Sequence, residues 1–236
     1  MTLLMIGLRI RRWSAFPAVV LAGVGRKRRV CELERYFSID ARRGHWRHES
    51  CCGACGGTGI VFDQRIYHGR TGSAAEGGHM TIDYRGPQCG CGKSGCIEVL
   101  CSGPAIARRA RGRLAEPGCK DSIMMTLSGG NLERVQTETV AEAFRRGDSL
   151  AAEVLKATAD FLTVWLGNVI DLLEPDVIIF GGGIAELMSA YFGHIREELS
   201  HWSISLGFAL PKEKEQPLMD KSGQVLQDEE HEAAAL

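Results

Sequence analysis

Apolar residues recur every three or four positions most regularly over 149–173. Leu150, Val154, Leu155, Phe161, Leu162, Trp165, Leu166, Val169, Ile170 and Leu173 fall on one wide face when wound at 3.6 residues per turn, which predicts a core helix. Gly147 ends a shorter helix expected over 139–146, Asp148 is placed to cap the long one, and Pro175 stops it. The pattern then changes. DVIIF at 176–180 is a continuous β-branched run, as expected of a strand covered on both faces. Gly181, Gly182 and Gly183 follow, and IAELMSAYFGHIREEL then predicts a second amphipathic helix to about Leu199. Strand, glycine loop and helix start together suit a nucleotide, although the loop has neither the Walker nor the Gly-x-Gly-x-x-Gly spacing.

Upstream, Ser102, Gly103 and Pro104 open a helix over AIARRARGRLAE that Pro117 and Gly118 end. Its Arg108, Arg109, Arg111 and Arg113 resemble a phosphate-binding stripe but are read as a solvated face. GACGGTGIVFDQRIYHGRTG predicts a glycine-rich turn, a strand at 60–62, a turn at Asp63 and Gln64, and a second strand at 65–68. Before it, residues 1–52 show no sustained period. MTLLMIGLRI and VCELERYFSI each allow one short element between clusters of Arg, His and Trp. The organisation expected is therefore a basic, poorly ordered leader over 1–52, a folded domain over 53–210, and an acidic, disordered tail over 211–236.

Charge sharpens this division. Lys plus Arg is 28 and Asp plus Glu is 29, so no overall field drives the chain onto nucleic acid or a membrane. Residues 1–50 nevertheless hold eleven basic against four acidic residues, and 211–236 hold three against seven. The apolar run at 15–24 is too short to span a bilayer core of about 30 Å. Nine cysteines is an odd number, which argues against a fully paired extracellular framework and for a reducing, cytoplasmic setting. His45, His48, Cys51, Cys52 and Cys55 follow no ligand spacing that supports a metal site.

The stretch EGGHMTIDYRGPQCGCGKSGCIE, 76–98, does carry such a spacing. His79, Cys89, Cys91 and Cys96 form a His-x9-Cys-x-Cys-x4-Cys run threaded with glycine. Three thiolates and one imidazole suit a closed, four-coordinate zinc site, and the glycines permit the turns that bring close ligands together.

These residues resemble the ROK family of sugar kinases and sugar-responsive regulators, most closely its glucokinase group, over about 53–202. GGHMTIDYRGPQCGCGKSGCIE is similar to the family's zinc signature, and LEPDVIIFGGGIAE to its second nucleotide motif. The resemblance implies an α/β, actin-like, hexokinase-type (ribonuclease H-like) ATPase fold, incomplete in its N-terminal lobe, and a homodimer. It also implies transfer of the γ-phosphoryl group of Mg-ATP to the 6-hydroxyl of glucose or a related hexose. On matching positions Glu76, His79 and Glu98 contact sugar hydroxyls, His79 also binds zinc, and Gly181, Gly182 and Gly183 lie near the adenosine.

Neither the family's Asp-x-Gly-Gly-Thr phosphate loop nor its Asn-Asp-x-Asn segment, whose aspartate is the general base, occurs in residues 1–52. Phosphoryl transfer depends on positioning and charge stabilisation, so the expectation is an impaired kinase with no assigned catalytic residue. The alternative is a non-enzymatic regulator, since the family includes repressors with an N-terminal DNA-binding domain. A coding sequence shifted in frame or truncated at each end would produce the departures, and the flanking DNA read in its other frames tests that.

Overall fold

The computed structural model describes residues 4–7, 18–24, 56–62, 65–119, 121–175, 177–181 and 183–205. In chain order its elements are β1 (Leu4–Gly7), β2 (Ala18–Val24), β3 (Gly56–Phe62), β4 (Arg65–Ile66), α1 (Ile97–Cys101), α2 (Gly103–Leu114), α3 (Ile123–Leu127), α4 (Thr137–Arg145), α5 (Ser149–Leu173), β5 (Val177–Gly181), α6 (Gly183–Leu187) and α7 (Phe192–Trp202). Single 3-10 turns lie at Gly77–His79, Leu132–Arg134 and Ser189–Tyr191.

The strands form one sheet in the order β1-β5-β2-β3-β4. Its centre is the parallel pair β2 and β5, with Leu21 opposite Ile179, and the remaining pairs are antiparallel. Two pieces of the segment read from sequence as a leader are thus strands. AVVLAGV is an apolar run of ordinary strand length, but its place beside β5 is set by residues far along the chain, so the run alone does not assign it to the sheet. The rest of 1–52, including VCELERYFSI and the His45 to Cys52 cluster, lies outside the described residues, as do Cys55 and the tail at 211–236.

Helix α5 is the axis of the helical layer. Val154, Leu155, Leu162, Leu166 and Ile170 are fully buried on it, and α1, α2, α4 and α7 all pack against it. Asp148 caps it as expected, accepting from the Ala151 N–H at 2.7 Å. The same buried carboxylate accepts from Ser122 Oγ at 2.8 Å and from the Ile123 N–H at 2.6 Å, so it also fixes the start of α3. Asp148→Ala removes a cap and strands two further donors. It is expected to cost about 3 kcal/mol, seen as an earlier urea midpoint at unchanged slope.

The single helix expected after the glycines is broken. Ile184, Ala185 and Met188 are buried where α6 packs on β2 and β5, whereas Phe192, Ile195 and Leu199 are buried on α7, which packs on α5. One straight helix cannot serve both surfaces, and the 3-10 turn at Ser189–Tyr191 redirects the chain. Tyr191 pins that turn by donating its hydroxyl to the Ala152 carbonyl at 2.8 Å.

The arginines of α2 are neither a phosphate stripe nor a merely solvated face. Arg108 donates to the Val99 carbonyl, Arg109 to the Leu100 carbonyl and Thr158 Oγ1, and Arg111 to the Val135 carbonyl. Arg113 pairs with Glu116 and Glu153.

Candidate metal centre

The metal-ligand spacing folds into one compact loop for local reasons. The Ile82 N–H donates to the Gly95 carbonyl at 2.8 Å and the Ile97 N–H to the Met80 carbonyl at 2.9 Å, tying the His79 end to the Cys96 end. Between them Cys89 N–H donates to the Lys93 carbonyl at 2.7 Å and closes the tight turn that carries Cys91. Gly95 has φ +62°, and a Cβ there would lie 1.5 Å from the Asp83 carbonyl oxygen. Only glycine fits that crossing.

The loop brings all four expected ligands together. One donor atom from each of His79, Cys89, Cys91 and Cys96 lies within 4.8 Å of the others. Cys91 Sγ is 3.7 Å from Cys96 Sγ, and His79 Nδ1 is 3.6 Å from Cys89 Sγ. Tetrahedral zinc with Zn–S near 2.3 Å and Zn–N near 2.0–2.1 Å needs S–S edges of about 3.8 Å and N–S edges of about 3.6 Å. The donor set therefore fits such an ion in chemistry, and the Cys91–Cys96 and His79–Cys89 pairs already have the spacing of its edges. Burial, with the neighbouring thiols, pushes the Cys96 thiol up to about 12. The Lys93 backbone N–H leads the interactions that pull the exposed Cys91 thiol below its usual value. A bound cation would hold the thiols deprotonated against that burial.

Glu98, on α1, sits at the rim of the cluster. Its Oε2 is 3.3 Å from His79 Nδ1 and 3.8 Å from Cys89 Sγ, and its side chain is 17% exposed. Glu76 precedes the 3-10 turn that carries His79, is exposed, and caps nothing with its side chain. That turn lies directly on the sheet, since a Cβ on Gly77 would come within 2.4 Å of Thr58 Oγ1 in β3.

Sequence reasoning missed the anchor from the helical layer. Trp165, read only as part of the apolar face of α5, donates its indole N–H to the Gly77 carbonyl at 3.0 Å while 4% exposed. A buried indole needs a partner, the one signal that could have suggested it. Gly181 ends β5 opposite Gly23 of β2, and Gly183 opens α6, while Gly182 lies outside the described residues. Two strand spacings, about 10 Å, separate β5 from β3.

Among the described residues, Cys101 and Cys119 are the free cysteines outside the cluster. Burial raises the Cys101 thiol, which donates to the Thr158 carbonyl. No helix among the described residues is long and apolar enough to cross a membrane.

Fold and loop define a class, an α/β protein of actin-like, hexokinase type carrying a Cys3His loop whose His79 turn meets both β3 and the helical layer. The fold matches the crystal structure of a ROK family glucokinase from Streptomyces griseus in complex with glucose and AMPPNP, with a TM-score of 0.60 at 24% identity, over 80% of this chain and 52% of that one. The ROK family model matches residues 52–224, and the chain belongs to the ROK family. It is 31% identical to a glucokinase of Thermotoga maritima over 169 residues, 70% of this chain and 51% of the relative. It is also 32% identical over 130 residues to the DNA-binding transcriptional dual regulator NagC of Escherichia coli, 55% of this chain and 30% of the regulator. The chain thus spans about half the length of the kinases it matches.

Proposed function

We propose that this chain binds a hexose at Glu76, His79 and Glu98, braced by zinc on His79, Cys89, Cys91 and Cys96. The observation that carries the reading is the carboxylate of Glu98, its Oε2 3.3 Å from Nδ1 of the imidazole that completes the ligand set. With a metal on Nδ1, that nitrogen has no proton to give Glu98, and the carboxylate becomes a free acceptor beside the ring. Sugar hydroxyls are the donors such an acceptor selects, and leaving one buried partner unpaired costs about 1–3 kcal/mol. Zinc supplies ordering of the loop, because its binding energy is folding energy for the segment that carries the ligands.

The reaction that fits this pocket within the family is transfer of the γ-phosphoryl group of Mg-ATP to the 6-hydroxyl of glucose or a related hexose. Gly181, Gly182 and Gly183 would approach the nucleotide through their backbone. The Asn-Asp-x-Asn segment that carries the family's general base does not occur in residues 1–52, so turnover is expected to be slow beside hexose binding. The setting proposed is cytoplasmic, and the assembly a homodimer. Calorimetric titration with glucose and with Mg-ATP, with zinc measured on the same sample, tests this. Saturable glucose binding with zinc near one per chain is expected, and no glucose binding by the zinc-loaded chain would refute it.

The likeness to NagC favours a second reading, a sugar-responsive regulator without kinase activity. It requires DNA binding that falls steeply with salt and weakens when Arg26, Lys27, Arg28 and Arg29, which lie outside β1 and β2, are replaced by alanine.

A further inference from the structure

Helix α1 carries Glu98, yet five residues cannot hold a helix by themselves. Its backbone makes the Ser102 N–H to Glu98 carbonyl bond at 3.0 Å and then ends, leaving the carbonyls of Val99 and Leu100 to other donors. Both are taken by consecutive arginines of α2. Arg108 reaches the Val99 carbonyl from an exposed position. Arg109 is more enclosed. Its Nη2 donates to the Leu100 carbonyl at 2.6 Å, its Nη1 to Thr158 Oγ1 of α5 at 2.7 Å, and its guanidinium lies 5.3 Å from the centre of the Phe161 ring. Thr158 is itself fixed, donating its hydroxyl to the Val154 carbonyl at 3.0 Å.

A guanidinium that merely filled space here would pay for its burial without return, since burial alone disfavours its charge. Both arms are instead spent on joining α1 to α5. The turn that bears His79 is tied to the same helix, by Trp165 to the Gly77 carbonyl. Thr158 and Trp165 are two helical turns apart, about 10.5 Å along the axis. One rigid helix therefore spaces the turn that bears His79 from the helix that bears Glu98.

We infer that Arg109 is a positioning residue, which sets the direction of the Glu98 carboxylate by clamping the end of α1 to α5. This rests on the hexose reading of the pocket. Lysine keeps the charge but cannot span the Leu100 carbonyl and Thr158 Oγ1 with one planar fork.

The test is a double-mutant cycle on the zinc-loaded full chain, with glucose affinity measured by calorimetry, and with zinc content and urea midpoint recorded for every variant. Glu98→Gln is expected to weaken glucose binding about tenfold, the effect of one charge-assisted hydrogen bond. Arg109→Lys should weaken it by a similar factor with zinc content unchanged, and the double variant should bind no worse than Glu98→Gln alone. Multiplying effects, or unchanged binding in Arg109→Lys, would overturn the inference. If Arg109→Lys loses its zinc or fails to fold, Thr158→Val makes the decision. It removes one acceptor at nearly constant volume and should weaken glucose binding about threefold, again without adding to Glu98→Gln. Unchanged or multiplying behaviour there overturns the inference equally. Absence of glucose binding by the unsubstituted, zinc-loaded chain overturns the hexose reading and this inference together, whereas glucose binding that ignores Arg109 and Thr158 overturns this inference alone.

Discussion

Cys96→Ser will empty the metal site and take glucose binding with it. Cys96 is fully buried, 3.7 Å from Cys91 Sγ, and its thiol also reaches the His79 carbonyl at 3.5 Å, so it links two other ligands from the inside of the loop. A serine there offers a hard hydroxyl that stays protonated where zinc requires a thiolate. Structural zinc contributes on the order of 10 kcal/mol to small loops of this kind, and loss of one of four ligands forfeits a large part of that. Zinc per chain should fall from near one to below about a tenth under mild chelation, and glucose affinity should drop by more than tenfold, because His79 and Glu98 are no longer held in register. Cys119→Ser, outside the cluster, should change neither. Zinc retained at wild-type affinity in Cys96→Ser would remove this residue from the ligand set.

Gly95→Ala should do comparable damage without touching a ligand. The new Cβ would require the Asp83 carbonyl to move from 1.5 Å to beyond 3 Å, and that carbonyl already accepts from the Gly86 N–H at 2.8 Å. Gly95 also holds the loop through both of its backbone groups, its carbonyl accepting from the Ile82 and Asp83 N–H groups and its N–H donating to the Pro87 carbonyl. A loss of about 3 kcal/mol or more in loop stability is expected, read as weaker zinc binding in competition with a chromogenic chelator. Gly92→Ala is the comparison. Its φ is +91°, but a Cβ there meets nothing within 4 Å, so only the backbone preference is lost, about 1–2 kcal/mol. Equal effects of the two substitutions would show that the close approach at Asp83 does not matter.

What could be read from the residues follows from how far apart the interacting groups are. The convergence of His79, Cys89, Cys91 and Cys96 was legible because it is local, with residue types, spacing and glycines all inside 79–96. Helix α5 was legible because a 25-residue amphipathic face bounded by Asp148 and Pro175 leaves little choice. The helix break at Ser189–Tyr191 was not, because the apolar positions before and after it have compatible spacings and differ only in what they pack against. Nor were the roles of Trp165 and Arg109, since an apolar stripe does not reveal an indole donor and a basic stripe does not reveal which carbonyls it will find. Strand β2 escaped for a related reason, since its pairing with β5 is set by residues far along the chain, whereas MTLLMIGLRI allows a short element where β1 lies.

That last pairing bears on how the chain is made. β2 leaves the ribosome long before β5, with β3 as its earliest partner, and its other edge has no strand to meet until Gly181 has been added. At about 5–20 residues per second, AVVLAGV waits on the order of 10 s with the N–H and C=O groups of one strand edge unpaired. The metal loop and the start of the helical layer emerge within that interval. Zinc supply during synthesis would then govern how much folded structure stands ready to receive β5, and yield in cells should depend on zinc more steeply than the stability of the finished protein does.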